Sequence, residues 1–330
     1  MSTSPKRFGC LGIFIILVLC LSLLFNGLFL IGGLVNVTIG ENTFREVVIQ
    51  KSAQDVKSKI AVIRLDGIIT GGEGGTNSPV DVIKSELKQA ISDKDVRAIV
   101  LAIDSPGGEV TASDIIYNAV KEARKTKPIV VSMGSLAASG GYYIAVGGSH
   151  IFAHDTTFTG SIGVIMQSMN YSDLIGKIGV QVMTYKSGDF KDMMSGSRLP
   201  TEPEKQYIQG LVMQTYDKFV GIVAAERKLP VDELRNGVAD GRVVSGKDAL
   251  AAKLVDEIGD FDAAVQKAVQ LGAAPGAAVV GYDTGGGIAH YLRLLGKSEP
   301  PKKIEINLTP EASLHLQPGR LYLLPSLLAP

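Results

Sequence analysis

The segment Gly134-Ser135-Leu136-Ala137-Ala138-Ser139-Gly140-Gly141-Tyr142-Tyr143 sets a serine among small residues, just after an apolar run. At a helix start, Ser139 could act as a nucleophile. The positive end of a helix favours an alkoxide or oxyanion, and small neighbours let a substrate backbone come close. The same position suits an N-cap with tight packing around it, and the segment alone leaves both readings open. Gly107 and Gly108 end an earlier apolar run ahead of a predicted helix. Backbone N–H groups freed there can point at a developing negative oxygen. A serine nucleophile also needs a base. Lys186 and Lys191, in Lys186-Ser187-Gly188-Asp189-Phe190-Lys191-Asp192, follow a predicted strand and lie among apolar residues. A lysine works as a base only where burial disfavours its charge; the plainer reading is a solvated surface charge. His150 and His154 are the histidine alternative, four apart on a predicted strand and so on one face. They would be a triad base or metal ligands, against the plainer reading of two half-buried or surface side chains.

These residues must be positioned by the elements around them. Ile60–Leu65, Ala98–Ile103 and Pro128–Met133 read as buried strands, with Ser105-Pro106-Gly107-Gly108 breaking the second. Val80–Ile91 and Ser113–Arg124 carry apolar residues at helical spacing. Strands alternating with helices of this length predict crossover units and a mostly parallel sheet. Further on, His150–Ala153, Gly163–Gln167 and Val180–Tyr185 are predicted strands and Ser172–Lys177 a short helix. Pro203–Lys228 is a long helix whose apolar stripe runs from Tyr207 to Val223. Two more helical stretches fill Val231–Asp260. Gly71–Gly75 and Gly285–Gly287 lack the ending of a phosphate loop and are read as loops.

Composition bounds the function. The 330 residues are 45% apolar with 33 basic and 33 acidic side chains, so a folded core is expected and nucleic acid is not an expected partner. The two cysteines, Cys10 and Cys20, leave the body without a disulfide, a thiolate zinc site or a thiol nucleophile. No charged residue occurs from Phe8 to Gly40. The core of that run, Gly12–Gly33, exceeds the ~20 residues needed to cross a bilayer. Lys6 and Arg7 on its amino-terminal side place the N-terminus in the cytoplasm and the remainder outside it. A cleaved signal peptide is the alternative, with a shorter apolar region. The expected organisation is a cytoplasmic N-terminus and membrane anchor over 1–40, touching lipid through residues 8–35. A stalk over 41–59, a catalytic domain over 60–272 and a partly flexible extension over 273–330 follow. The apolar stretch Leu321–Leu328 is a candidate to dock in a substrate groove; a disordered or membrane-touching end is the alternative.

Four ordered motifs carry a resemblance. Ile103-Asp104-Ser105-Pro106-Gly107-Gly108, Ala138-Ser139-Gly140-Gly141-Tyr142-Tyr143, Thr159-Gly160-Ser161-Ile162-Gly163-Val164, and Gly241-Arg242-Val243-Val244-Ser245-Gly246 with Leu254-Val255-Asp256 resemble the signal peptide peptidase A family, short single-unit type. The match covers about Ile60–Gly259. It implies an α/β, crotonase-like (caseinolytic-protease-like) fold of repeated β-β-α units, preceded by one transmembrane helix and assembled as a homo-oligomeric ring. It further implies a membrane-bound serine endopeptidase that degrades remnant signal peptides and other apolar peptides. In that pattern Ser139 is the nucleophile, Lys191 the general base and Ser161 the hydroxyl that orients the lysine. Gly108, with Gly107 or Gly140, supplies the oxyanion hole, and Ser and Lys often come from neighbouring subunits. No cofactor or metal is required. An acyl-CoA enzyme of the crotonase class, or a non-catalytic membrane scaffold of the same fold, are the competing readings.

Overall fold

The computed structural model describes residues 17–24, 26–27, 44–53, 56–71, 78–283 and 322–323. The chain divides into two units, Met1–Thr43 and Phe44–Pro330. In the first, residues 17–24 and 26–27 are helical. The rest of the predicted anchor lies outside the described residues, among which no helix is long and apolar enough to cross a membrane. Gly72–Gly75 and Gly285–Gly287 also lie outside the described residues.

The second unit is built on a mixed sheet. Its main path runs β1 (Arg45–Gln50), β9 (Ala278–Asp283), β2 (Lys59–Ile69), β3 (Val96–Glu109), β4 (Ile129–Ala138), β5 (His150–Ala153) and β8 (Glu257–Ile258). The central β2–β3–β4–β5 ladder is parallel, as the strand–helix alternation predicts. Its strands are apolar on both faces because both are covered. Ala61, Ile63, Leu65, Ile99, Leu101, Ile103, Val131 and Met133 face one core with α1 (Pro79–Ser92), α2 (Val110–Arg124) and α3 (Gly140–Ala145). The alternate residues Ile60, Val62, Ala98, Val100 and Val130 face a second core with Ala264, Val265 and Ala268. α4 (Ser172–Lys177), α5 (Glu202–Arg227), α6 (Val231–Asn236), α7 (Gly246–Ala251) and α8 (Phe261–Leu271) complete the helices.

Strand β4 serves two partners. Val130–Ser132 pairs with β5, while Leu136–Ala138 pairs with β6 (Phe158–Gly160), which in turn pairs with β7 (Val243–Ser245). The fork lets β4 and β6 end side by side.

Several expectations are corrected. Ser105–Gly108 does not break β3; it continues the strand through a register shift, so Pro106 sits at an irregularity. Arg45–Gln50, expected as stalk, is a strand paired with β9, which falls in the expected extension. Val180–Tyr185 is not a strand: Val180, Val182 and Tyr185 are exposed, and no strand among the described residues pairs with them. Gly163–Gln167 contributes a single bridge, from Ile165 to Tyr322. Strand β5 ends at Ala153, so His154 falls in a turn, its N–H donating to the Thr157 hydroxyl.

Candidate active site

Ser139 stands at the strand-to-helix turn between β4 and α3. Its φ is 53° and its ψ −112°. That is a strained setting for a residue with a Cβ. It is fixed from both sides: the Ser139 N–H donates to the Gly160 carbonyl (2.8 Å), and the Ser139 carbonyl accepts from Tyr143 N–H (2.8 Å). Ser139 occupies the N-cap position, yet its side chain makes no cap hydrogen bond. Its Oγ is buried and has no hydrogen-bond partner among the described residues. A buried hydroxyl normally finds a partner. The capping alternative therefore does not describe Ser139.

Ser161 lies next to it. The parallel register pairs Ala138 with Gly160, so Ser139 and Ser161 each follow directly on neighbouring strand ends. Ser161 is also buried and at positive φ (49°), with its N–H donating to the Arg242 carbonyl (2.8 Å).

Three glycines close the other side. Gly107 has φ 102°, and a Cβ there would fall on the Leu323 carbonyl oxygen and the Gly140 amide nitrogen. A Cβ on Gly140 would meet Ser113 Oγ at 2.6 Å and the Gly108 nitrogen at 3.1 Å. The backbones of Gly107, Gly108 and Gly140 thus pack closely against one another. The Gly107 N–H is engaged locally, donating to Ser105 Oγ (3.1 Å), whose hydroxyl donates to the Gly67 carbonyl.

Lys191 is elsewhere on the chain. It lies in the 3-10 turn Asp189–Asp192, exposed, and among the described residues its amine makes no hydrogen bond or ion pair. The structure brings together Ser139, Ser161, Gly107, Gly108 and Gly140, and one chain does not join Lys191 to Ser139. Lys186 is occupied: its amine reaches the Asp189 carbonyl (3.0 Å) and Asp192 (2.9 Å). His150 sits 3.1 Å from Glu257 on the β8 edge, and His154 is exposed.

A network missed in the sequence anchors the Lys191 turn. Arg198 spans Asp192 (2.6 Å) and Glu204. Glu204 closes a capping box with Thr201 at the start of α5. The hydrogen bonds from Arg198, and then Lys186, hold the Asp192 carboxyl well below the usual range. Arg198 and the Thr201 N–H bring Glu204 down to about 2. The spacing Thr201-x-x-Glu204 was the legible signal; the arginine that joins the cap to the turn had none.

The arm carrying Lys191 is apolar yet uncovered. Met169, Leu174, Ile178, Val182, Met183 and Tyr185 are exposed, as is Tyr207 on the N-terminal half of α5.

Comparison with known proteins places the chain in a family. The profile of Clp protease matches residues 50–157, the sheet and helices that carry Ser139. The profile of peptidase family S49 matches residues 121–274. A protein of Enterococcus faecium named as a signal peptide peptidase SppA is 36% identical over 79% of this chain and 77% of its own length. A protein of Synechocystis named as a protease is 39% identical, covering 65% of this chain and 75% of its own. Protease 4 of Haemophilus influenzae is 38% identical over 66% of this chain, which spans 35% of that longer protein. A buried serine at a strained strand end and these matches lead to one conclusion: the chain is a serine protease with a Clp protease-like α/β fold and belongs to peptidase family S49.

Proposed function

We propose that this protein is a membrane-anchored endopeptidase that hydrolyses remnant signal peptides and other apolar peptides through Ser139 and Lys191. The observation that carries the reading is the pair of unpartnered groups: a buried Ser139 hydroxyl and an exposed Lys191 amine on an uncovered apolar arm. Among the described residues each lacks a partner, and a neighbouring copy in a ring supplies it. The arm's apolar side chains then become an interface between subunits.

In this mechanism Ser139 Oγ attacks the carbonyl carbon of the substrate while its proton passes to the neutral Lys191 amine. Ser161 orients that amine. The N–H groups of Gly108 and Gly140 hold the oxyanion, an effect of roughly 3 kcal/mol per donor in comparable sites. The tetrahedral intermediate collapses, the C–N bond breaks, and the departing amine takes the proton from Lys191. Water then adds to the acyl-enzyme by the same route and frees Ser139. The catalytic domain spans residues 60–272, with residues 8–35 in the membrane and the domain outside the cytoplasm. Names of relatives as signal peptide peptidases support the substrate class, and the uncharged run Phe8–Gly40 supports the anchor.

The test is labelling of the full chain with a fluorophosphonate, followed by peptide mapping. The adduct is expected on Ser139 and absent in Ser139→Ala. An adduct on another serine overturns the assignment.

A further inference from the structure

Ser105 has no part in the mechanism above, yet it is fully buried beside the glycines of the site. Strands β2 and β3 fall out of step there. Asp66 pairs with Asp104 and Ile68 with Gly107, so Ser105 and Pro106 together face Gly67 alone. This is a bulge with the extra residue on β3. Pro106 has no N–H to offer the ladder. The Ser105 hydroxyl fills the gap: it donates to the Gly67 carbonyl (2.6 Å) and accepts from the Gly107 N–H (3.1 Å). Both glycines stand at positive φ, 74° and 102°, and one hydroxyl pins the two across the bulge. The start of α3 rests on the same spot. A Cβ on Gly141 would lie 2.8 Å from the Ser105 carbonyl oxygen, and one on Gly140 would lie 3.1 Å from the Gly108 nitrogen. Ser105 pairs with Ala137, and Ala137 with Thr159. The Thr159 hydroxyl donates to the Ala137 carbonyl (2.7 Å). The end of β4 therefore has its own tie, and Ser105 serves β3.

We propose that Ser105 is a positioning residue for the oxyanion hole: its hydroxyl fixes the Gly107–Gly108 peptide so that the Gly108 N–H is presented to the reacting carbonyl oxygen. The Gly107 amide, held by Ser105, is withdrawn from that task. A glycine without such a tie reaches many backbone angles at little cost, and an unpinned bulge lets the Gly108 amide swing. The two hydrogen bonds are made within the fold and need no substrate, which is what preorganised stabilisation of an oxyanion requires. Ser105 touches no reacting atom. Its loss acts on the transition state and spares ground-state binding. This inference rests on the reading of Ser139 as the nucleophile and Gly108 as an oxyanion donor.

Full-length Ser105→Ala removes both bonds, and Ser105→Cys keeps the side chain with only a weak donor. Ser78→Ala, which removes the side-chain cap of α1, controls for lost stability alone. In the Ser105 variants kcat on an apolar peptide is expected to fall roughly 10- to 100-fold with KM within about twofold, the scale of a small misplacement in a catalytic site. Two ligands isolate the cause. One is trileucine ending in an aldehyde: its carbonyl carbon bonds to Ser139 Oγ, the serine proton passes to Lys191, and the aldehyde oxygen takes the oxyanion position. The other is trileucine ending in an alcohol, which forms no such bond. Ser105→Ala is expected to bind the aldehyde about tenfold more weakly and the alcohol as the unmodified protein does. Ser78→Ala is expected to bind both as the unmodified protein does. Unchanged aldehyde affinity in Ser105→Ala, or an equal loss of both ligands, overturns the positioning role; Ser105→Cys decides in the same way if Ser105→Ala does not fold. Failure of the underlying site looks different: Ser139→Ala would then bind the aldehyde as tightly as the unmodified protein.

Discussion

Ser139 combines positive φ, full burial and an unpartnered hydroxyl in one residue. Ser139→Ala is expected to lower kcat by roughly 10⁴-fold or more, the scale seen when the nucleophile of such a unit is removed, with the melting temperature unchanged or raised. Lys191→Ala should cost as much, whereas Lys186→Ala, which breaks a surface pair with Asp192, should cost little; initial rates on one apolar peptide compare the three. Gly140→Ala should also abolish turnover, because its Cβ meets Ser113 Oγ, held by its bond to the Glu109 carbonyl. A soluble but inactive Gly140→Ala is the expected outcome, and wild-type activity would contradict the placement. At this scale Ser139 is legible as a candidate from the small residues around it, and Gly107 and Gly108 from their place after an apolar strand and ahead of a helix. Lys191 and Ser161 came from the resemblance, because nothing local sets Lys191 apart from Lys186. That the Gly107 amide is spent on Ser105 Oγ depends on a turn geometry with no sequence signature.

The Lys191 turn is held by salt bridges and by a ring contact, Phe190 on Tyr207 with centroids 5.5 Å apart. Asp192 and Glu204 have depressed pKa values, so their pairing with Arg198 is present above the ordinary carboxylate range. It is lost as pH falls through the lowered folded values. Anchoring of residues 189–198 should weaken below the ordinary carboxylate range and be lost only as pH falls through the lowered folded values, about 2 for Glu204, seen as faster amide exchange there. Arg198→Ala should lower kcat/KM about tenfold by freeing the lysine, since a misplacement near 1 Å costs up to ~100-fold. Arg198→Lys should rescue it poorly, because one ammonium cannot bridge two carboxylates as the guanidinium does. The elements that deviated from expectation share a cause. Val180–Tyr185 alternates like a strand but finds no ladder, and Arg45–Gln50 looks polar yet gains one from β9. Strand formation depends on a distant partner, whereas Ser172–Lys177 and Glu202–Arg227 are local and matched their predicted helices within a residue or so.

Across the whole molecule, the sheet and both cores were legible because apolar residues fill both faces of β2 to β4. The exposure of the arm around Lys191 was not, because an apolar arm and an apolar core read alike in one sequence. One stability effect belongs at this scale. Glu86 is 6% exposed on α1, and burial raises its carboxyl to about 7. The folded state thus holds a proton that the unfolded state gives up near pH 4.5. Stability should fall as pH rises from there to about 7, and the cost is complete above it. Glu86→Gln should stabilise the protein by an order of ~2–3 kcal/mol at pH 8 and by little at pH 4; urea unfolding at the two pH values measures this.

The central claim is that Lys191 of one subunit serves Ser139 of another. Full-length Ser139→Ala and Lys191→Ala proteins, each inactive, can be dissociated, mixed in equal amounts and reassembled. Random assembly in a ring should place an intact serine beside an intact lysine in about a quarter of sites. Peptidase activity near a quarter of wild type is the predicted result; mixed rings that stay inactive would contradict it.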